Sequence, residues 1–288
     1  MAPLALAVGS ACAYRPASDP NTTLSFGAPE RVRIVGYDDD AMEPFLSRDG
    51  KYLLFNNLNE PSVNTDLHFA ERVDDVTFQY RGRLDGANTV ALEGVPTMDR
   101  AGTIYFVSPR SYAQSRSTIY RGSFDAGRVT TVELVPGISR NQLGRVNFDV
   151  DVSPDGNTLY FVDGLFGNGG PPKEAKLVIA ERVGQQFRRK ANSDALLRNV
   201  NTSLLQYAAC ISADGLSLYF NRTRVGLFGG TAIFLATRPD TSSPFGVPKR
   251  IAAITGFVEG ATLSPDERSV YYHKKDGTRF VLYRVVKH

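Results

Sequence analysis

Carboxylate side chains occupy comparable places along this chain, each close to the start of an apolar segment. Five are candidates for chemistry, namely Glu43, Glu93, Asp149, Asp151 and Glu259, and residues 38–40 add three aspartates before the first. Carboxylates that converge from separate segments could bind a divalent cation through oxygen ligands. Two of them could instead act as general acid and general base on a glycosidic bond. The third interpretation is that they line a water-filled opening, since most acids face water.

Other reactive residues are sparse. The three histidines, His68, His273 and His288, show no spacing typical of a catalytic triad or a metal site, and no phosphate-binding glycine loop is present. With only Cys12 and Cys210, the chain has no disulfide framework. We therefore expect no cofactor, apart from a cation that the acidic residues could bind, and the sequence favours binding over catalysis.

An internal repeat indicates the elements that carry these residues. A turn of the type Ser-Pro-Asp-Gly, followed by a short aromatic strand, recurs at residues 46–55, 98–106, 152–161, 211–220 and 263–272. Glycine supplies the positive φ that a tight hairpin turn needs. The turn glycines, with Glu267 in the fifth place, are roughly 52 to 59 residues apart, and each interval has room for about four strands. Such a period predicts an all-β fold, the β-propeller.

The last repeat lacks room for its own outer strand, which predicts how the ring closes. Residues 26–32 match residues 245–251 in chemical type, position for position, and the latter open the outer strand of the fourth unit. An N-terminal strand that pairs in the C-terminal blade leaves no free sheet edge at the seam. The prediction is a five-bladed β-propeller domain over residues 21–288, with residues 26–35 as the outer strand of the last blade.

These repeats resemble the TolB-type, WD40-like propeller family, whose signature is the Ser-Pro-Asp-Gly turn leading into a Leu-Tyr-Phe strand. The resemblance covers about residues 26–288. The second unit departs from it, with Asp99 in place of the serine, and the fifth has Glu267 in place of the glycine. The resemblance implies the propeller fold, but it leaves the function open, because such propellers include binding modules, peptidase gating domains and lyases.

The first 20 residues read as a leader and tether. Residues 4–12 are an apolar run that ends in small residues and Cys12, as in a bacterial lipoprotein signal with a lipidated cysteine. A plain secretory signal cleaved near Ala11 or Ala13, or a disordered cytosolic tail, are the alternatives. The expected location is the periplasm or cell envelope, with membrane contact only through a lipid anchor. With 33 basic and 30 acidic residues spread along the chain, no basic stripe predicts nucleic-acid binding, and we expect a monomer.

Long loops indicate which face of the propeller functions. The connections from second to third strands, and the crossings between blades, share one face, and here they are the long ones. Two of these loops contain a Leu-Phe pair between glycines, which makes Phe166 and Phe228 candidate anchors for a partner, unless they pack between blades. Arg140, Arg145 and Asp151 are further candidates for binding. The predicted function is recognition of a protein or glycan, and the alternative is a glycan hydrolase or lyase.

Overall fold

The computed structural model describes residues 25–60, 63–167, 170–223 and 230–288. Most of its regular structure is strand. The N-terminal segment forms β1 (Glu30–Arg31) and β2 (Arg33–Val35). Blade 1 contains β3 (Met42–Leu46), β4 (Tyr52–Asn56), β5 (Leu67–Arg72) and β6 (Thr77–Arg83). Blade 2 contains β7 (Gly94–Met98), β8 (Thr103–Val107), β9 (Ile119–Asp125) and β10 (Arg128–Leu134), with the short helix α1 (Tyr112–Ser115) before β9.

The other three blades follow the same order. Blade 3 contains β11 (Arg145–Val152), β12 (Thr158–Leu165), β13 (Glu174–Val183) and β14 (Gln186–Arg189), and the short helix α2 (Ser193–Leu196) follows it. Blade 4 contains β15 (Gln206–Ile211), β16 (Ser217–Thr223), β17 (Thr231–Thr237) and β18 (Lys249–Arg250). Blade 5 contains β19 (Val258–Leu263), β20 (Ser269–Asp276) and β21 (Arg279–Val286).

The strands form five separate sheets, antiparallel except for the pairing of β2 with β6, which confirms the predicted five-bladed propeller. The hydrophobic core is divided into five layers, each between two neighbouring blades. One layer packs Tyr160 and Leu177 of blade 3 against Phe220 and Phe245 of blade 4, and the other four join the remaining pairs in the same way. No helix in the described ranges is long and apolar enough to cross a membrane. Cys12 and the proposed leader lie outside those ranges.

The repeated turn is held by its own side chains. In blade 3 the Ser153 hydroxyl donates to Asp155 at 2.5 Å and accepts the N–H of Thr158 at 2.9 Å, while Gly156 has a φ of 73°. In blade 2 the Asp99 carboxylate replaces both side chains, because its Oδ1 accepts the N–H groups of Ala101 and Thr103, each at 2.9 Å. The departure from the repeat at Asp99 therefore preserves the turn.

The ring closes as predicted. β1 pairs antiparallel with β21, with Glu30 opposite Arg284. The N–H of Gly27 donates to the carbonyl of Val286 at 2.8 Å, just as Gly246 donates to Thr237 at 2.7 Å in blade 4. The match between residues 26–32 and 245–251 thus reflects one backbone pattern used twice.

The predicted extent of the closing strand was wrong. Pairing with β21 ends at Val32, and β2 then runs parallel to β6 as a fifth strand of blade 1. Val32 is buried in the seam between blades 5 and 1, and the next N–H, that of Arg33, donates to Val76 at 2.7 Å. The chain has to leave blade 5 to reach the centre of the ring, and the edge of β6 satisfies its backbone on the way. The N-terminal segment therefore pairs with both blade 5 and blade 1, and we call this segment the clasp.

Removal of this clasp should destabilise the ring. Deletion of residues 1–36 exposes the edges of β21 and β6, so we expect unfolding or association of molecules through these edges. Deletion of residues 1–20 is the control, and its melting temperature should stay close to that of the full chain. Melting curves and size-exclusion chromatography measure both effects, and equal melting temperatures for the two truncations would contradict the closure.

Candidate functional site: an axial acid cluster

The innermost strand of every blade contains a β-bulge at the same level. The residues at the bulges are Glu43, Val95, Asp149, Ala208 and Gly260, and their φ angles all lie between 48° and 66°. They line the central cavity, which has a volume of about 30 Å³. A bulge redirects a side chain, and left-handed backbone costs on the order of 1 to 3 kcal/mol for a residue other than glycine. The repeat therefore holds the backbone around the axis in a strained conformation.

Three acids near this level are close enough for their charges to interact, and we call them the axial acid cluster: Glu43, Asp149 and Glu259. Glu43 and Asp149 are bulge residues, and Glu259 directly precedes the bulge at Gly260. A Cβ atom on Gly260 would lie 2.6 Å from Oε2 of Glu43, so glycine at this position leaves room for the carboxyl group. Of the five predicted acids, Glu43, Asp149 and Asp151 line the cavity itself. Glu259 does not line it, but its charge acts on Glu43 and Asp149.

Burial and charge repulsion favour the protonated forms of two of these acids, Glu43 and Asp149. Burial raises the pKa of Glu43 well above its ordinary value, and the charges of Asp149 and Glu259 raise it further. Burial raises the pKa of Asp149 to about 7; the hydrogen bond from the Ala208 N–H opposes this shift, and the charge of Glu259 adds to it. Near neutral pH, Glu43 and Asp149 therefore hold protons that isolated carboxyl groups would have lost.

Glu259 is oriented by two neighbours. The hydroxyl of Tyr207 donates to its Oε1, and Nε2 of His273 lies 3.4 Å from its Oε2. On the other side of the imidazole, Nδ1 of His273 accepts the N–H of Glu43 at 3.1 Å. Since Nδ1 acts as acceptor, the proton of the neutral imidazole is on Nε2 and faces Glu259.

The hydrogen bond from the N–H of Glu43 to His273 is one of three similar bonds between neighbouring blades, and we call these bonds inter-blade locks. Asn56 of blade 1 accepts the bulge N–H of Val95 at 3.0 Å, and Asn221 of blade 4 accepts that of Gly260 at 3.2 Å. His273 has the same place in blade 5, because all three side chains stand opposite the residue before a bulge. Its isolated position in the sequence gave no sign of this role, although the equivalent asparagines follow the same repeated aromatic strand.

Two of the predicted catalytic acids accept several hydrogen bonds within the protein. Asp151 is buried, and it accepts the hydroxyl of Thr97 at 2.6 Å and the N–H of Ile211 at 2.8 Å, with Arg48 3.5 Å away. Burial raises the pKa of Asp151, and these neighbours act against the shift.

Glu93 lies away from the cavity and is fully buried. Its carboxylate accepts the N–H of Thr89 at 2.7 Å, the hydroxyl of the same residue at 2.8 Å and the hydroxyl of Ser108 at 2.7 Å. These donors leave it little capacity for a ligand.

The predicted binding residues are distributed differently. Arg140 pairs with Asp163, and Arg145 pairs with Glu174 at 2.6 Å. Phe166 is half-buried and contacts Phe148 edge to face, with ring centroids 5.8 Å apart, so it packs at least partly inward. Phe228 lies outside the described residues, and the role of both rings as anchors stays a prediction. Among the described residues, no group of three or more His, Cys, Asp or Glu could hold a metal ion.

Comparison with known proteins supports the fold. No protein-family model matches the chain, and no curated protein matches its sequence. A solved structure described as a glycoside hydrolase is 11% identical with a TM-score of 0.60, and the match covers 92% of each chain. The α-L-arabinofuranosidase PaAbf62A from Podospora anserina, in complex with cellotriose, is 13% identical with a TM-score of 0.57, over 92% of this chain and 96% of that one.

TolB from Acinetobacter baumannii is also similar. It is 14% identical with a TM-score of 0.48, and the match covers 87% of this chain but only 55% of TolB. Likeness at these identities establishes the fold alone. Membership of the TolB-type, WD40-like family therefore stays a prediction, whereas the five-bladed propeller is established.

The lock at His273 can be tested by substitution. His273→Ala leaves the N–H of Glu43 without an acceptor inside the protein, so we expect a loss of about 1 to 3 kcal/mol in the free energy of unfolding. His273→Asn introduces the residue that forms the same lock at two other junctions, and it should recover much of that loss. Urea unfolding measures both. Equal destabilisation by the two variants would show that the imidazole matters only through packing.

The raised pKa of Asp149 predicts a dependence of stability on pH. Between about 3.8 and 7 the unfolded chain loses this proton before the folded protein does, so ionisation lowers stability as the pH rises. Asp149→Asn keeps an acceptor for the Ala208 N–H and removes the ionisation. Its stability relative to the original protein should therefore increase from pH 4 to pH 8, by a few kcal/mol at most.

The matched control for this experiment is Asp155→Asn. Although burial acts to raise the pKa of Asp155, hydrogen bonds from Ser153 and Asn157 hold it below its ordinary value. This substitution should therefore lower stability at neutral pH relative to acid pH, which is the opposite trend. Parallel pH profiles for both variants would contradict the assignment of Asp149.

Proposed function

We propose that the protein is a binding module of the cell envelope, anchored through Cys12, which recognises a protein or glycan with one face of its propeller. We call this the upper face. It carries the connections from second to third strands and the crossings between blades, together with the mouth of the central cavity. The observation that carries the proposal is the axial acid cluster, which is gathered at the centre of this face without a basic side chain paired to Glu43 or Asp149 in the described ranges.

The opposite, lower face has fewer polar groups that are free to bind a partner. It is formed by the hairpin turns, whose polar groups are already satisfied. The turn serines and aspartates hydrogen-bond to each other and to the backbone in blades 1, 3, 4 and 5. Groups that are already paired gain little free energy from a new partner, because each new hydrogen bond replaces an existing one.

The size of the cavity supports binding rather than catalysis. A volume of about 30 Å³ accommodates about one or two water molecules, and a sugar ring is several times larger. A ligand would therefore contact the mouth of the cavity with a small group. Glu93 and Asp151, two of the five candidate catalytic acids, are also occupied by hydrogen bonds within the protein.

A second candidate function, glycan hydrolysis, is favoured by the electrostatics of the same cluster. A carboxyl with a strongly raised pKa, Glu43, lies beside a carboxylate oriented by Tyr207 and His273, Glu259. Paired carboxyls in different environments are the usual arrangement for general acid and base. Solved structures with the same fold are described as glycoside hydrolases. In this chain the activity would depend on Glu43, Asp149 and Glu259.

Neutralisation of the cluster tests the primary proposal. The triple variant Glu43→Gln, Asp149→Asn, Glu259→Gln should retain its envelope partner at least about tenfold more weakly, because three carboxyls leave the centre of the contact. The matched control neutralises three turn aspartates of the lower face, Asp155, Asp214 and Asp266, and should bind normally. Quantitative pull-down and a glycan array measure retention, with circular dichroism to verify folding. Unchanged retention by the axial variant would overturn the proposal.

The same proteins distinguish the second candidate. If the cluster is catalytic, the original protein should release the chromophore from aryl glycosides, and Glu43→Gln alone should abolish turnover. A lack of turnover combined with loss of partner retention in the triple variant would leave binding as the function. Turnover that survives in the triple variant would exclude the cluster as the catalytic centre.

A further inference from the structure

Exposed apolar side chains recur in the crossings that lead to the innermost strands. Four of the five crossings between blades carry one each, just before or at the start of an innermost strand: Val90, Leu143, Leu204 and Phe257. Their exposures are 101%, 78%, 61% and 43%. Because these crossings all lead to innermost strands, which encircle the axis, the four residues lie on the upper face. We call them the apolar ring.

The position of these residues is specific to the upper face. Of the eight large apolar side chains that are exposed in the described ranges, the lower face and outer rim carry only Val73, Val183 and Val247. Isolated exposed apolar residues are common on any protein. One in each of four successive crossings on the same face favours an interaction surface there.

The backbone that presents the ring is fixed. Leu143 is flanked by bonds to Tyr112, whose hydroxyl accepts the N–H of Gly144 at 2.9 Å. The carbonyl of Leu204 accepts the N–H of Ala175 at 2.8 Å, and that of Phe257 accepts the N–H of Lys275 at 3.0 Å. Side chains held on a fixed backbone lose little entropy on binding, which favours their use as anchors.

One carboxyl at the centre of the ring has an oxygen without a donor among the described residues. Asp149 is only 8% exposed, its Oδ2 accepts the Ala208 N–H, and no described residue donates to its Oδ1, although the side chain lines the cavity. His273 is the one basic side chain that contacts the cluster within the described ranges. Burial favours the protonated form of Asp149 in the free protein, and a cation from a partner would displace this proton and pair with the carboxylate.

From the ring and the cluster together, and resting on the proposed function, we propose that the upper face docks a protein segment that inserts a lysine ammonium at the axis between apolar side chains. An ammonium is compact and has three donors, which suits a cavity of about 30 Å³ that is lined by the carboxyls of Glu43 and Asp149. The residues beside the lysine cover the apolar ring. Charge complementarity sets the register, and burial of the ring supplies affinity.

Synthetic peptides test this inference directly. The probe is a fluorescent peptide with a central lysine flanked on each side by leucine and phenylalanine, and its binding to the full-length protein is measured by fluorescence anisotropy. It should bind at least tenfold more tightly than the same peptide with acetyl-lysine. The double variant Leu143→Ser, Leu204→Ser should weaken binding at least fivefold, whereas the matched pair Val73→Ser, Val183→Ser should not.

Other outcomes overturn the inference. Equal binding of the lysine and acetyl-lysine peptides, or equal effects of the two serine pairs, would refute it. A glycan that binds the upper face in competition with the envelope partner would also refute it, while the proposed function would stand. The proposed function fails separately, when neutralisation of the axial acids leaves partner retention unchanged.

Discussion

The centre of this propeller depends on a hydrogen bond that joins each of several pairs of neighbouring blades close to the axis. Innermost strands of different blades do not pair with one another, so their backbone needs other partners where the sheets converge. The bulge provides an N–H that points sideways, and a side chain of the preceding blade accepts it. Asn56, Asn221 and His273 perform this function at three junctions. The same bulge turns the side chains of Glu43 and Asp149 into the cavity, so the lock and the site have one origin.

The acid cluster lowers the stability of the protein, and hydrophobic packing between the blades offsets this cost. Burial of carboxyls without cationic neighbours disfavours their charged forms, and strained backbone at the bulges adds to the cost. Five separate inter-blade layers of aromatic and aliphatic side chains supply the compensating burial. Features of this kind, in which local structure conflicts with stability, are concentrated at functional sites.

The sequence predicted what local chemistry determines. Turn residues defined the hairpins, and the match between residues 26–32 and 245–251 defined the closure, since both depend on short segments. The bulges were not predictable, because they are set by contacts with the next blade. For the same reason Glu93 could not be distinguished from Glu259. Glu93 stands two residues before its bulge and Glu259 one residue before, and a single step along a strand moves a side chain to the opposite face. The parallel pairing of β2 was missed because its partner edge belongs to another blade.

The path of the N-terminal segment determines how the molecule can be attached. The N–H of His288 donates to the carbonyl of Ser25 at 2.9 Å, so the two ends of the described fold meet at one point. This point is the end of β21, which runs from the upper face to the lower face on the outside of the ring. Any chain or support joined at residue 25, or after His288, therefore departs on the side away from the axial mouth. If the protein is immobilised at either of these ends, its upper face would therefore point away from the support and remain accessible.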